Sequence, residues 1–276
     1  MKSFIKIICL LSSACLVLAI VVGFVLLSPE RLKGYISGLL LEINPNITVS
    51  IESVGLRFPP GVKISGMVIG FRDKSNPPIE TQMVIARPRL GSLLLGRLSL
   101  LLNVDAYGGS AFGSIDFIRC FSMKGPFRTA LNFENINIGD STSLKAFMGR
   151  GATGILKGSI DYNGDTTGLP KGSGRAGISI RDGLFQPEIR IPGLATAAFD
   201  SLDADMILSN GMLKINRLTL AGKDMRGTLK GHVFLKDELA ASELSMNGDL
   251  EIPAEPKIRV VLAIAGTIAK PTIQVM

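Results

Sequence analysis

Tryptophan is absent from this 276-residue chain, histidine occurs once, and tyrosine and cysteine occur three times each. These shortages exclude a good deal. The single His232 has no second histidine with which to hold zinc. It also has no Gly-x-Ser-x-Gly elbow to activate. Cys9 and Cys15 lie inside an apolar run and Cys120 stands alone, so the cysteines give no internal disulfide framework. Charged residues make up only 19% of the chain against 46% apolar, which excludes general disorder. The net charge is +7, yet the lysines and arginines are scattered. They do not form the basic stripe with interleaved aromatics that a nucleic-acid binder needs.

Chemistry-bearing constellations are few. Asp200, Asp203 and Asp205 lie close in sequence, with Asp203 and Asp205 on one strand face opposite Leu202, Ala204 and Met206. This reads as a solvated strand face. Glycines recur at Gly151/Gly154/Gly158, Gly172/Gly174/Gly177 and Gly227/Gly231. A phosphate cradle needs a helix opening after the glycines, but strand-like residues follow each group, so they read as turns and sheet bends. No metal, cofactor or catalytic set is expected, and the chain reads as non-catalytic.

What is present begins with an uncharged run of 21 residues from Ile7 to Leu27 behind Lys2 and Lys6. About 20 apolar residues span a bilayer as a helix, so residues 1–28 read as a short tail and a transmembrane anchor. A cleaved signal peptide, whose core is shorter, and a lipoprotein site at Cys15 are the alternatives. Lys/Arg counts nearly tie across the run, and the short tail favours its being inside. Residues 29–44 read as a second, amphipathic helix. Ser28-Pro29-Glu30 supplies an N-cap, a first-turn proline and an acid, Leu32, Ile36, Leu39, Leu40 and Ile43 follow at helical spacing, and Asn44-Pro45 stops it. Packing against the body is favoured over lying on the membrane.

From residue 45 to 276 the period changes to two. Val62 and Ile64 give way to Met67, Ile69 and Phe71; Leu131 and Phe133 to Ile136 and Ile138; Leu213 and Ile215 to Leu218 and Leu220. Asn163-Gly164, Asp182-Gly183, Asn210-Gly211 and Asn247-Gly248 suit two-residue hairpin turns, and the whole reads as an antiparallel meander. Ser141 to Arg150 reads as a short helix. Leu93 to Val104 reads as one strong strand. Its Leu98–Leu102 portion is apolar on both faces except Ser99, so it is either buried on both sides or presents a greasy face. Leu98, Leu100 and Leu102 are the candidate lining of an apolar groove.

Several segments resemble the bacterial type II secretion system protein N family, within the wider group of AsmA-like envelope proteins. They are the single anchor with its amphipathic helix, Phe58-Pro59-Pro60-Gly61 before a strand, Gly91 to Leu98 leading toward Ala106-Tyr107-Gly108-Gly109, and the closing stretch from Ala265 to Ile273. The resemblance implies a mainly β fold with a long curved antiparallel sheet and a greasy concave groove. It implies a protein of the cell inner membrane with its body in the periplasm, and no catalytic residue. Its partners would be other type II secretion components or, in the lipid-transfer reading of AsmA-like proteins, phospholipid.

Overall fold

The computed structural model describes residues 28–43, 46–57, 60–72, 77–119, 123, 125–148, 151–185, 197–223, 225–236, 241–252 and 258–275. The anchor expected from Ile7 to Leu27, Cys9, Cys15 and Cys120 lie outside the described residues. Among the described residues no helix is long and apolar enough to cross a membrane.

The chain opens on α1 (Pro29–Ile43), then runs through β1 (Ile47–Arg57), β2 (Gly61–Phe71), β3 (Ile79–Pro88), α2 (Leu90–Leu94), β4 (Leu98–Ala106), β5 (Gly109–Phe117) and β6 (Pro126–Asn137). After α3 (Thr142–Met148) come β7 (Thr153–Asp165), β8 (Ser173–Phe185), β9 (Ala197–Ser209), β10 (Met212–Ala221), β11 (Arg226–Phe234), β12 (Glu243–Ile252), β13 (Ile258–Thr267) and β14 (Lys270–Val275). The strands form one 14-stranded sheet in strict sequence order, and every neighbouring pair is antiparallel. A meander of this kind needs only local turns, and the period-two pattern had pointed to it.

Where the apolar period slips by one residue, the backbone absorbs the slip. Gly66 has φ +60° between Ile64 and Met67, and Asn135 has φ +56° between Phe133 and Ile136. The ladder shifts register between Ile215 and Leu218. The slips at Asn135 and between Ile215 and Leu218 are bulges, in which one extra residue returns the apolar side chains to the same face and the ladder register shifts; at Gly66 the register with β1 and β3 is unchanged.

The turn chemistry corrects part of the sequence reading. Asn210-Gly211 is a hairpin turn, with φ +49° and +79°, as the type I′ geometry requires. The other three dipeptides are not turns. Asn163-Gly164 lies within β7, Asp182-Gly183 within β8 and Asn247-Gly248 within β12. Gly248 is there for close approach: a Cβ at this position would run into the Thr228 carbonyl of β11. Tyr107-Gly108 makes the second such turn, with φ +51° and +73°.

Two further boundaries differ. The strand expected from Leu93 begins at Leu98, because Leu90–Leu94 coils into the single helical turn α2. The helix expected from Ser141 to Arg150 is α3, Thr142–Met148. Helix α1 occupies its expected span, and Leu32 and Ile36 pack with Ile51, Val54, Ile64 and Val84 on the first strands. A second buried cluster gathers Ile138, Ala152, Ile180, Phe199, Leu220, Met225 and Leu250, with Leu144 of α3 against it.

Candidate functional site

The register of the sheet sorts its side chains onto two unlike faces. Residues directly opposite one another in adjacent strands project from the same face, so a row can be followed across the sheet. One row runs Val54, Ile64, Val84, Val104, Ala111, Phe133 and Gly158. It continues through Ile178, Ala204, Leu218, Leu229, Gly248 and Leu262. The next row on the same face runs Leu56, Val62, Ala86, Leu102, Gly113, Leu131 and Ile160, then Ala176, Met206, Ile215, Gly231, Met246, Ile264 and Ile273. Neither row contains a polar or charged side chain.

Across twelve and thirteen strand spacings these rows extend roughly 60 Å at about 4.8 Å per spacing. A sheet normally buries such a face against a second layer. Here α1 covers only the first strands, and α3 packs at the cluster around Ile138. Met225 and Ala152, from the connections, join that cluster; among the described residues there is no second sheet, and most of the face's side chains between β4 and β13 are only half-buried.

The expected groove residues fall on this face. Leu98, Leu100 and Leu102 share it with Val104, paired against Phe117, Ile115, Gly113 and Ala111. The strand is not apolar in function on both sides. Leu101 projects from the opposite face and is exposed, and Ser99 beside it is buried. Sequence reading singled out β4 alone; the face continues onto every later strand, and its signal was the set of one-residue slips in the apolar period described above.

Toward the end of the sheet that carries Arg57, the apolar face bears an aromatic series. Phe117 and Phe127 have ring centroids 5.9 Å apart, and Phe127 and Tyr162 5.4 Å apart. Side chains at Gly164 and Gly172 would collide with the Tyr162 phenol, so glycine at these positions makes room for the ring. Burial first, and the negative charge of Asp165 second, raise the pKa of the phenol.

The opposite face is polar. Asp203 accepts a hydrogen bond from Arg181 at 3.0 Å, with both side chains about half exposed. Asp249 lies 3.6 Å from Arg259. Asp203 and Asp205 share a shallow hollow of about 590 Å³ with Glu134, Lys157, Ser159 and Ser179. Its lining holds no histidine or cysteine, and Asp203 is held by Arg181, so the hollow offers no nucleophile with a positioned base. His232 stands edge-on to Phe234 at 4.9 Å in β11. No group of three or more metal-ligating residues exists among the described residues. The Gly151, Gly172 and Gly227 groups lie in or beside strands. No protein-family model, curated protein or solved structure matches this chain.

Proposed function

We propose that this protein is a membrane-tethered, non-catalytic lipid-binding module that holds the acyl chains of phospholipid along the apolar face of its sheet. One observation carries the reading: unbroken apolar rows run from β1 to β13, and among the described residues no second sheet lies over them. Hydrocarbon is the partner that such rows suit, because it asks for no hydrogen bond and no countercharge. On β4 the same-face positions Leu98, Leu100, Leu102 and Val104 span about 20 Å at roughly 3.3 Å per residue, somewhat more than one leaflet of a bilayer's hydrocarbon core, about 15 Å. The in-strand glycines support a sheet that bends toward this side, as at Gly113, where a Cβ would meet the Ala130 carbonyl. The resemblance to AsmA-like proteins implies a long antiparallel sheet with a greasy face, which is in keeping with this reading.

The same resemblance carries a second proposal for the whole protein: a component associated with type II protein secretion, anchored in the inner membrane with its body in the periplasm. Its support is the ordered set of segments from the anchor to Ile273, and no contact in the sheet adds to it.

The two readings separate in one experiment. A protease site placed between Leu27 and Pro29 allows the intact membrane protein to be cut and the body released. Solvent extraction and lipid mass spectrometry of the released body should then give stoichiometric phospholipid. A folded body released without lipid would sink the lipid reading. Co-release of secretion subunits would then favour the second.

A further inference from the structure

We propose that the β3–β4 connection, Arg89 to Arg97, is a membrane-contacting loop that enters the surface of an anionic bilayer beside the anchor. Leu94 and Leu95 are 78% and 77% exposed, and Leu90 is exposed beside them. Helix α2 buries none of its residues. Three leucines held out of the fold cost free energy in water and gain it in hydrocarbon.

The backbone of the loop is prepared for that medium. Amide groups left unpaired in a bilayer cost several kcal/mol each. Here Ser92 and Leu93 N–H donate to the Arg89 carbonyl, Leu95 and Arg97 N–H to the Ser92 carbonyl, and Gly96 N–H to the Leu93 carbonyl. Gly96, at φ +72°, turns the chain back.

Charge identifies the partner as an anionic surface. Arg87, Arg89 and Arg97 flank the leucines and are exposed, and no acid occurs between Glu80 and Asp105. Basic residues beside an inserted apolar tip are drawn to acidic headgroups.

The position fits as well. Helix α1 ends at Ile43, close to the start of β1, and its first-turn Leu32 joins the cluster containing Val54 and Ile64. The helix therefore runs back along β1, and its N-terminus points toward the end of the sheet that carries Arg57 and the β3–β4 loop. The uncharged run that closes at Leu27 joins the chain one residue ahead of Ser28. The inference rests on that run being the anchor and is independent of whether the apolar face holds lipid.

The absence of tryptophan supplies the test. Leu95→Trp and, on the polar face, Phe112→Trp each introduce a single reporter into the full-length chain. Both are reconstituted into vesicles of phosphatidylglycerol and phosphatidylcholine. Leu95→Trp should emit to the blue of Phe112→Trp, be quenched by lipids brominated on their acyl chains, and resist aqueous iodide. Arg89→Gln with Arg97→Gln should weaken the bromolipid quenching. Equal iodide quenching of the two reporters would overturn the proposal. So would a blue-shifted Leu95→Trp that bromolipid does not quench, since that would place protein rather than lipid over the loop.

Discussion

Ile178 of β8 lies directly opposite Ala204 of β9, while one step along the same strands Ser179 lies opposite Asp203. That single-residue alternation, kept from strand to strand, separates a hydrocarbon-like face from a solvated one. It also sets what substitutions on each face should do.

Charging the apolar face should abolish lipid binding without unfolding the sheet. Leu100→Asp and Ile178→Asp place a carboxylate where acyl chains would lie, which costs several kcal/mol against hydrocarbon. Bound phospholipid per folded protein should fall by about tenfold or more. Lipid mass spectrometry with circular dichroism as the folding control measures both.

The polar face should be indifferent. The Arg181–Asp203 pair is 3.0 Å long but about half exposed, and exposed pairs contribute little. Asp203→Ala should change unfolding stability by no more than about 0.5 kcal/mol and leave lipid content unchanged. A large loss of bound lipid in this variant would move the binding face to the wrong side.

Ser99 should be replaceable at a gain. Its hydroxyl is buried, with the residue 4% exposed, and its Oγ makes no hydrogen bond among the described residues. Removing a desolvated, unpaired hydroxyl relieves its penalty, so Ser99→Ala should be neutral or stabilising by up to about 1 kcal/mol in denaturant unfolding. A loss of similar size would show that the hydroxyl has a partner.

The in-strand glycines should not tolerate side chains. Valine at Gly113 or Gly248 would drive a Cβ into the neighbouring strand's carbonyl, Ala130 or Thr228. Each variant should lose about 1–3 kcal/mol, as overpacked sites do, with thermal and denaturant unfolding as the readout.

Acid should weaken the β7–β8 connection. The Thr167 N–H and Oγ donate to Asp165 Oδ1 at 2.9 and 2.7 Å, and these bonds, the backbone one first, hold the carboxyl below its ordinary pKa. A depressed folded-state pKa means stability that is present above the unfolded value and lost as pH falls through the folded one. The sign is therefore destabilisation in the acid range, below the ordinary carboxylate pKa. Asp165→Asn should remove that component from the dependence of unfolding on pH.

Much of the architecture was legible because it is local. Alternation at Leu202 to Leu208 and Leu213 to Leu220 reports strand faces directly, and α1 is announced by its cap and spacing. The Asn-Gly and Asp-Gly dipeptides misled at three positions because glycine meets two different needs. At Gly211 it supplies positive φ for a turn, whereas at Gly164 and Gly248 it leaves room for the Tyr162 ring or a neighbouring carbonyl. Local sequence does not distinguish these. The helical turn of α2 was hidden because Leu93 to Leu95 are apolar at every position and carry neither period. The apolar face itself was visible only in fragments, since its continuity depends on register between strands. Leu98, Leu100 and Leu102 were recognised because the Leu98–Leu102 run is apolar at every position except Ser99. Phe133 and Leu218 belong to the same surface, but their neighbours in sequence are polar.

The most direct test of the account is a photo-crosslinking scan along one strand in the full-length protein in its membrane. A benzophenone side chain is placed in turn at Ile178 and Ala176, on the apolar face, and at Ser179 and Arg175, on the polar face. Adducts are identified by mass spectrometry. The account predicts phospholipid adducts at 176 and 178 and none at 175 and 179. Lipid adducts that ignore this alternation, or a crosslink from 176 and 178 to a second copy of the chain in place of lipid, would contradict it.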